Sequence, residues 1–197
     1  MTYTTELNAA WMAHRDRWMS FADQGKIRYP NLYAELKAIY WSESALAQEM
    51  NMTPELVHEI FWGDVDEEND FTVEEANIIR NRFDIHHYGT YSMDYLFFQP
   101  FKCLCAGRPE DQEKIEMLRN LYKEVKKAAE PLGHQLIRFN YLERAANLLK
   151  LLDDPGGRIT YAEFRSVGSS LRALQYEITC ESRPAPRGLA RKVRVQL

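Results

Sequence analysis

Basic side chains are scarce through the middle of this 197-residue chain. Between residues 29 and 100 only Lys37, Arg80 and Arg82 stand against fourteen carboxylates, a net of −11 before histidines. Such a stretch lacks the cations that neutralise phosphates, the main sequence-independent contribution to nucleic-acid affinity. Long apolar runs are missing as well: nothing approaches the roughly 18 to 20 consecutive apolar residues of a membrane span. Arg15, Asp16 and Arg17 interrupt the N-terminal stretch where a cleaved leader would be apolar, so a cytoplasmic protein is expected. Cysteine is limited to Cys103, Cys105 and Cys180, an odd number too small for a disulfide framework. Catalytic signatures are lacking: there is no nucleophile elbow, phosphate-binding glycine loop or His-Glu-x-x-His. The carboxylate pairs Glu67–Glu68, Glu74–Glu75 and Asp153–Asp154 fit solvated loop or cap positions, and lone His14, His58 and His134 have no carboxylate at a recognisable spacing. Neither an enzyme nor a cofactor is expected.

The charge that is present is unevenly distributed. Residues 1–28 carry +1 and residues 101–197 carry +6, against −11 between them. Arg183, Arg187, Arg191, Lys192 and Arg194 crowd the last fifteen residues with no acid after Glu181, and Pro184 and Pro186 oppose a helix there, so 183–197 is expected to be a basic flexible tail.

Hydrophobic periodicity is helical and never two-residue, so the expected class is all-α. Leu7, Trp11, Trp18 and Phe21 give an N-terminal amphipathic helix in residues 1–28. Pro30 starts a second helix. Ser42 is placed to cap a third that ends at Asn51, a residue tolerant of the left-handed conformation. Thr53 and Pro54 open a fourth that Gly63 ends. Thr72 and Glu75 form a capping box for a fifth carrying Ala76, Ile79 and Phe83, His86 to Thr90 reads as a loop, and Met93–Phe98 is apolar enough to pack back on these helices. A helical region over 101–182 follows: one helix from Pro109 to Ala129, one from Ile137 to Leu152 with Phe139, Leu142, Ala146 and Leu149 on one face, a Gly-rich turn, and one capped by Thr160 and Glu163.

Leu46, Ala47, Met50, Leu56, Val57 and Ile60 occupy the positions through which two short hinged helices share a core. With Tyr29 to Leu36, Ser44 to Met50, Gly63, Phe71 to Arg80 and Met93 to Phe97, the stretch 29–100 resembles the XRE or Cro-type helix-turn-helix family, in particular its phage and mobile-element members. The resemblance implies a five-helix bundle and a transcriptional regulator that binds double-stranded DNA through the helix after the turn. It puts Thr53, Pro54, Glu55, His58 and Glu59 at the bases, and the tail cations Arg183, Arg187, Arg191, Lys192 and Arg194 would supply phosphate contacts. The chain departs from the family in its missing cations and in Asn51, which stands where the turn usually has glycine. The alternative is an acidic module of the same fold that docks on a basic protein, including another copy's positive C-terminal region. Should the apolar face of the first helix not pack on the bundle, it would serve as the seam of a homodimer.

Two further constellations suggest metals and fall short. Gly157, Ile159 and Glu163 match the second half of an EF-hand loop, yet that register puts Leu152 where the first carboxylate ligand belongs, so calcium is not expected. Cys103 and Cys105 with His86 and His87 fit no standard zinc spacing.

Overall fold

In the computed structural model, which describes residues 3–63, 69–87 and 91–182, the chain is mostly helical. Helix α1 spans Tyr3–Asp23, α2 Pro30–Ala38, α3 Glu43–Met50, α4 Pro54–Trp62 and α5 Val73–His87. A single wide turn, Asp94–Phe98, closes with the Gln99 N–H donating to the Asp94 carbonyl at 2.8 Å. Then come β1 (Cys103–Cys105), α6 (Pro109–Ala129), a short 3-10 turn (Gly133–Gln135), α7 (Asn140–Leu151), β2 (Arg158–Thr160) and α8 (Tyr161–Glu181).

The local signals act as their chemistry requires. Ser42 Oγ accepts the Ala45 N–H at 3.0 Å, and Asn51 ends α3 at φ 54°. Thr53 Oγ1 accepts the Leu56 N–H at 3.2 Å with Pro54 as the first helical residue. Thr72 and Glu75 exchange backbone and side-chain bonds at 2.7 to 3.2 Å, and Thr160 with Glu163 repeats the device at 2.7 to 3.1 Å.

Two apolar clusters form. One joins Trp18, Met19 and Ala22 of α1 to α2, α3, α4, α5 and the 94–98 turn. The other is built from Leu104, α6, α7, Ile159 and α8, with Tyr161 packed against both. Among the described side chains of α1, Trp18 and Phe21 pack on the first cluster and Trp11 on the second, so these three residues of the expected homodimer seam are engaged within the chain. Helix α8 joins the halves by packing on α2 as well as on α6 and α7.

Three expectations need correction. The chain has a small sheet: β1 and β2 pair antiparallel with Leu104 opposite Ile159. Strands of three residues are too short to show alternation. Second, α7 begins at Asn140, leaving Ile137 89% exposed and Phe139 outside the helix. The buried Glu177 carboxylate accepts the Ile137 and Arg138 N–H groups, holding this segment before the helix, and the inner face is Leu142, Ala145, Leu148 and Leu149. Third, α5 continues through His87 where a loop was expected.

The EF-hand-like register has a different use here. Leu152 is 3% exposed and belongs to the core. Its carbonyl and the Asp153 carboxylate receive the Arg119 guanidinium at 3.1 and 3.0 Å. Gly157 is required by crowding, because an added Cβ would lie 1.7 Å from the Leu151 carbonyl oxygen. Glu163 is occupied by Arg15 of α1, whose Nε and Nη2 donate to its two oxygens at 2.6 and 2.8 Å, both side chains buried.

Glu35 of α2 is the other buried carboxyl of consequence. It accepts from the Tyr95 hydroxyl at 2.9 Å and the Tyr91 hydroxyl at 3.0 Å. Burial pushes its carboxyl above the ordinary value of 4.5, outweighing Tyr95, the charge of Arg165 and Tyr91, which act the other way. A raised folded-state value means that folding is fully supported below pH 4.5 as far as this group is concerned, and that support is lost as pH rises through the folded value. In Glu35→Gln this loss is expected to vanish, so thermal melts across pH should show the variant gaining on the parent as pH rises. An unchanged difference in Tm across that range would contradict the assignment. Arg15→Ala leaves a buried carboxylate unpaired and is expected to cost about 3 to 5 kcal/mol in denaturant unfolding.

Candidate interaction surface

The segment 43–62, which forms α3, the turn and α4, contains no lysine or arginine. Val57 and Phe61 turn α4 into the first cluster and Ile60 is buried with them, so Thr53, Pro54, Glu55, His58 and Glu59 all face solvent. These five positions, expected from the sequence, thus share one accessible face. The tail cations Arg183, Arg187, Arg191, Lys192 and Arg194 lie outside the described residues.

Sequence reasoning missed the residue that organises this face. Glu43, in the first turn of α3, accepts the Trp62 indole N–H at 3.0 Å through Oε1, and its Oε2 lies 2.8 Å from His58 Nδ1. A carboxylate at that position also suits the positive end of α3. The His58 ring lies near-parallel to Trp62 with centroids 6.1 Å apart. One carboxylate thereby fixes two side chains on successive turns of α4. Its charge extends further: burial first, then Glu43, pushes the Tyr33 hydroxyl above its ordinary range. Lys37 is pulled below its usual value by burial, with Glu43 opposing. No local pattern links residues 43, 58 and 62, so only the packed pair of helices reveals the set.

A groove of about 290 Å³ runs beside this face, floored by Trp18, Phe21, Tyr33 and Trp62 and bordered by His14, Arg17 and His58. Arg17 sits over the Phe21 ring at 5.8 Å, and it is the arginine that borders the groove. The three cations of residues 29–100 each have a partner, and one of them, Lys37, stands over a ring of the groove floor. Lys37 stands over the Tyr33 ring at 4.7 Å, Arg80 donates to Asn81 at 3.0 Å, and Arg82 pairs with Glu49 at 3.3 Å. Among the described residues none from 101 onward lines this groove. The face therefore presents Glu55 and Glu59 beside an aromatic floor without a basic rim from the C-terminal half.

Cys103 and Cys105 flank the buried Leu104 on β1, and burial pushes the Cys103 thiol up to about 12, so it is not poised as a thiolate. Among the described residues no three His, Cys, Asp or Glu side chains gather as metal ligands would, and none of the helices is long and apolar enough to cross a membrane.

No protein family, curated protein or solved structure matches the chain, so the likeness to the helix-turn-helix family rests on the residues quoted for it. For the face itself, Glu43→Ala is expected to release His58, leave the Trp62 indole N–H unpaired, and cost about 1 kcal/mol in urea unfolding, whereas Glu43→Gln retains part of it.

Proposed function

We propose that this chain works by binding rather than catalysis, and that the α3–α4 face docks a basic polypeptide. The observation that carries this reading is the exposed Glu55–His58–Glu59 face, free of lysine and arginine and set beside an aromatic groove. The glutamates of the α4 face steer a cationic segment and set its register, while the aromatic floor beside them, where Arg17 and Lys37 already stand over Phe21 and Tyr33, supplies contact area. The occupant is a basic segment without acids; residues 183–197, with five cations, are one such segment, available from a second copy of the chain.

The same solvent-facing positions support a second reading, in which Thr53, Glu55, His58 and Glu59 enter a DNA groove as in the family that the sequence resembles. Charge weighs against it, because a duplex would meet two glutamates where phosphate contacts require cations.

The two readings separate in one pair of titrations, with a labelled 183–197 peptide and a labelled duplex each added to the full-length protein at low salt. The docking reading expects saturable peptide binding that weakens as salt rises and falls by about tenfold or more in Glu55→Lys/Glu59→Lys. Duplex binding that is lost in Thr53→Ala/His58→Ala, with no peptide binding, would overturn it in favour of DNA.

A further inference from the structure

A second concavity gathers cations from several segments. About 460 Å³ in volume, it opens between the 94–98 turn, β1 and the first two turns of α6 and α8. Its ionic lining is Lys102, Arg108, Lys114 and Arg165 with a single carboxylate, Asp111. That carboxylate is committed: Asp111 is buried, its Oδ2 accepts the Cys105 N–H at 3.0 Å, and it lies 3.5 Å from Arg108. Arg108 is thereby balanced, and it also faces Glu110 at 3.6 Å. For Lys102, Lys114 and Arg165, no carboxylate lies within 4.0 Å among the described residues.

Lys102, Lys114 and Arg165 repel each other around one hollow, and aromatic rings hold them in place. Lys102 Nζ stands 5.9 Å from the Tyr95 ring centre, Lys114 Nζ 5.8 Å from Tyr161, and the Arg165 guanidinium 4.0 Å from Tyr91. Arg165 is also within the field of buried Glu35, behind the cavity wall. The cations come from three separate segments, so no single helix explains their convergence. Helix α6 starts here at Pro109 without a side-chain cap, which adds its positive end to the same space. A hollow lined by one sign of charge focuses the field and concentrates counter-ions, and its volume falls within the roughly 300 to 1,000 Å³ of ligand sites.

We propose that this cavity binds a phosphate-bearing small molecule, with Lys102, Lys114 and Arg165 holding the phosphate oxygens. A singly charged carboxylate would leave two of the three cations unmatched, whereas a diphosphate matches the charge and the forked donor geometry of arginine. The site is independent of the α3–α4 reading and stands or falls without it.

Calorimetric titration of the full-length protein with sodium pyrophosphate, and separately with ATP, tests the assignment. Binding is expected to be salt-sensitive and to weaken about tenfold or more in Lys102→Gln/Lys114→Gln, whose side chains are exposed and whose loss leaves the core intact. It should be unchanged in Arg191→Gln/Lys192→Gln. Tighter binding of ATP than of pyrophosphate would assign an organic portion to the ligand, and equal binding would assign phosphate alone. Absence of binding at millimolar ligand, equal affinity in the Lys102/Lys114 variant, or loss confined to the Arg191/Lys192 variant would overturn the proposal.

Discussion

Much of the architecture converges on one buried ion pair. Arg15 sends two donors to the Glu163 carboxylate and one more, at 2.8 Å, to the Arg158 carbonyl on β2. Burial alone would lower the affinity of the guanidinium for its proton, yet the bonds and charge of Glu163 prevail and hold it above its ordinary value. The same carboxylate takes the Thr160 N–H and hydroxyl and so closes the first turn of α8. A helix start, a strand and the N-terminal helix thus depend on two oxygens. A buried pair of this kind adds little net energy over an apolar substitute, and its hydrogen-bond geometry fixes how the helices meet.

Around that pair the two apolar clusters are joined by polar links that set direction. Asn31 on α2 donates to the carbonyls of Tyr95, Gln99 and Pro100, each at 3.0 Å, and accepts the Lys102 N–H at 2.9 Å. It thereby fixes the path of the chain from the 94–98 turn into β1. Arg144 of α7 donates to the Ala38 carbonyl at the end of α2 and to Ser166 at 3.1 Å, and its guanidinium covers the Tyr40 ring at 4.8 Å. Two features of opposite sign result. The α3–α4 face is acidic, and the hollow at β1 is basic.

Local chemistry was legible in the sequence because its partners lie within four residues. The caps at Ser42, Thr53, Thr72 and Thr160, the left-handed Asn51 and the inner faces of α4 and α5 all follow from spacing. Non-local polar chemistry was illegible. Arg15 meets Glu163 across 148 positions, Glu43 ties His58 to Trp62, and Glu177 delays the start of α7. Nothing around Glu43 or Glu177 in the sequence marks them out, and Glu163 shows there only its cap and its EF-hand-like offset. The start of α7 was misjudged because Ile137 and Phe139 continue the apolar pattern, while hydrogen bonding to Glu177 holds the backbone out of the helix. The strands escaped because their pairing joins residues 103–105 to 158–160 and neither segment carries a signal by itself. For the candidate site, the exposed positions on α4 were readable from helical periodicity, but the aromatic groove beside them needed α1 in place.

The sequence distance spanned by the Arg15–Glu163 pair bears on how the chain is made. On the ribosome, Arg15 emerges long before its acceptor, and neither the cap of α8 nor its own partner exists while residues 16–162 are being added. Synthesis at about 5 to 20 residues per second makes that wait several seconds or more, far longer than the microsecond at most that a helix needs to form. Helix α1 therefore gains its Arg15–Glu163 lock only once the start of α8 has been made, and until then Trp18 and Met19 have only the cluster built by α2–α5 and the 94–98 turn to shield them from chaperones and from neighbouring nascent chains.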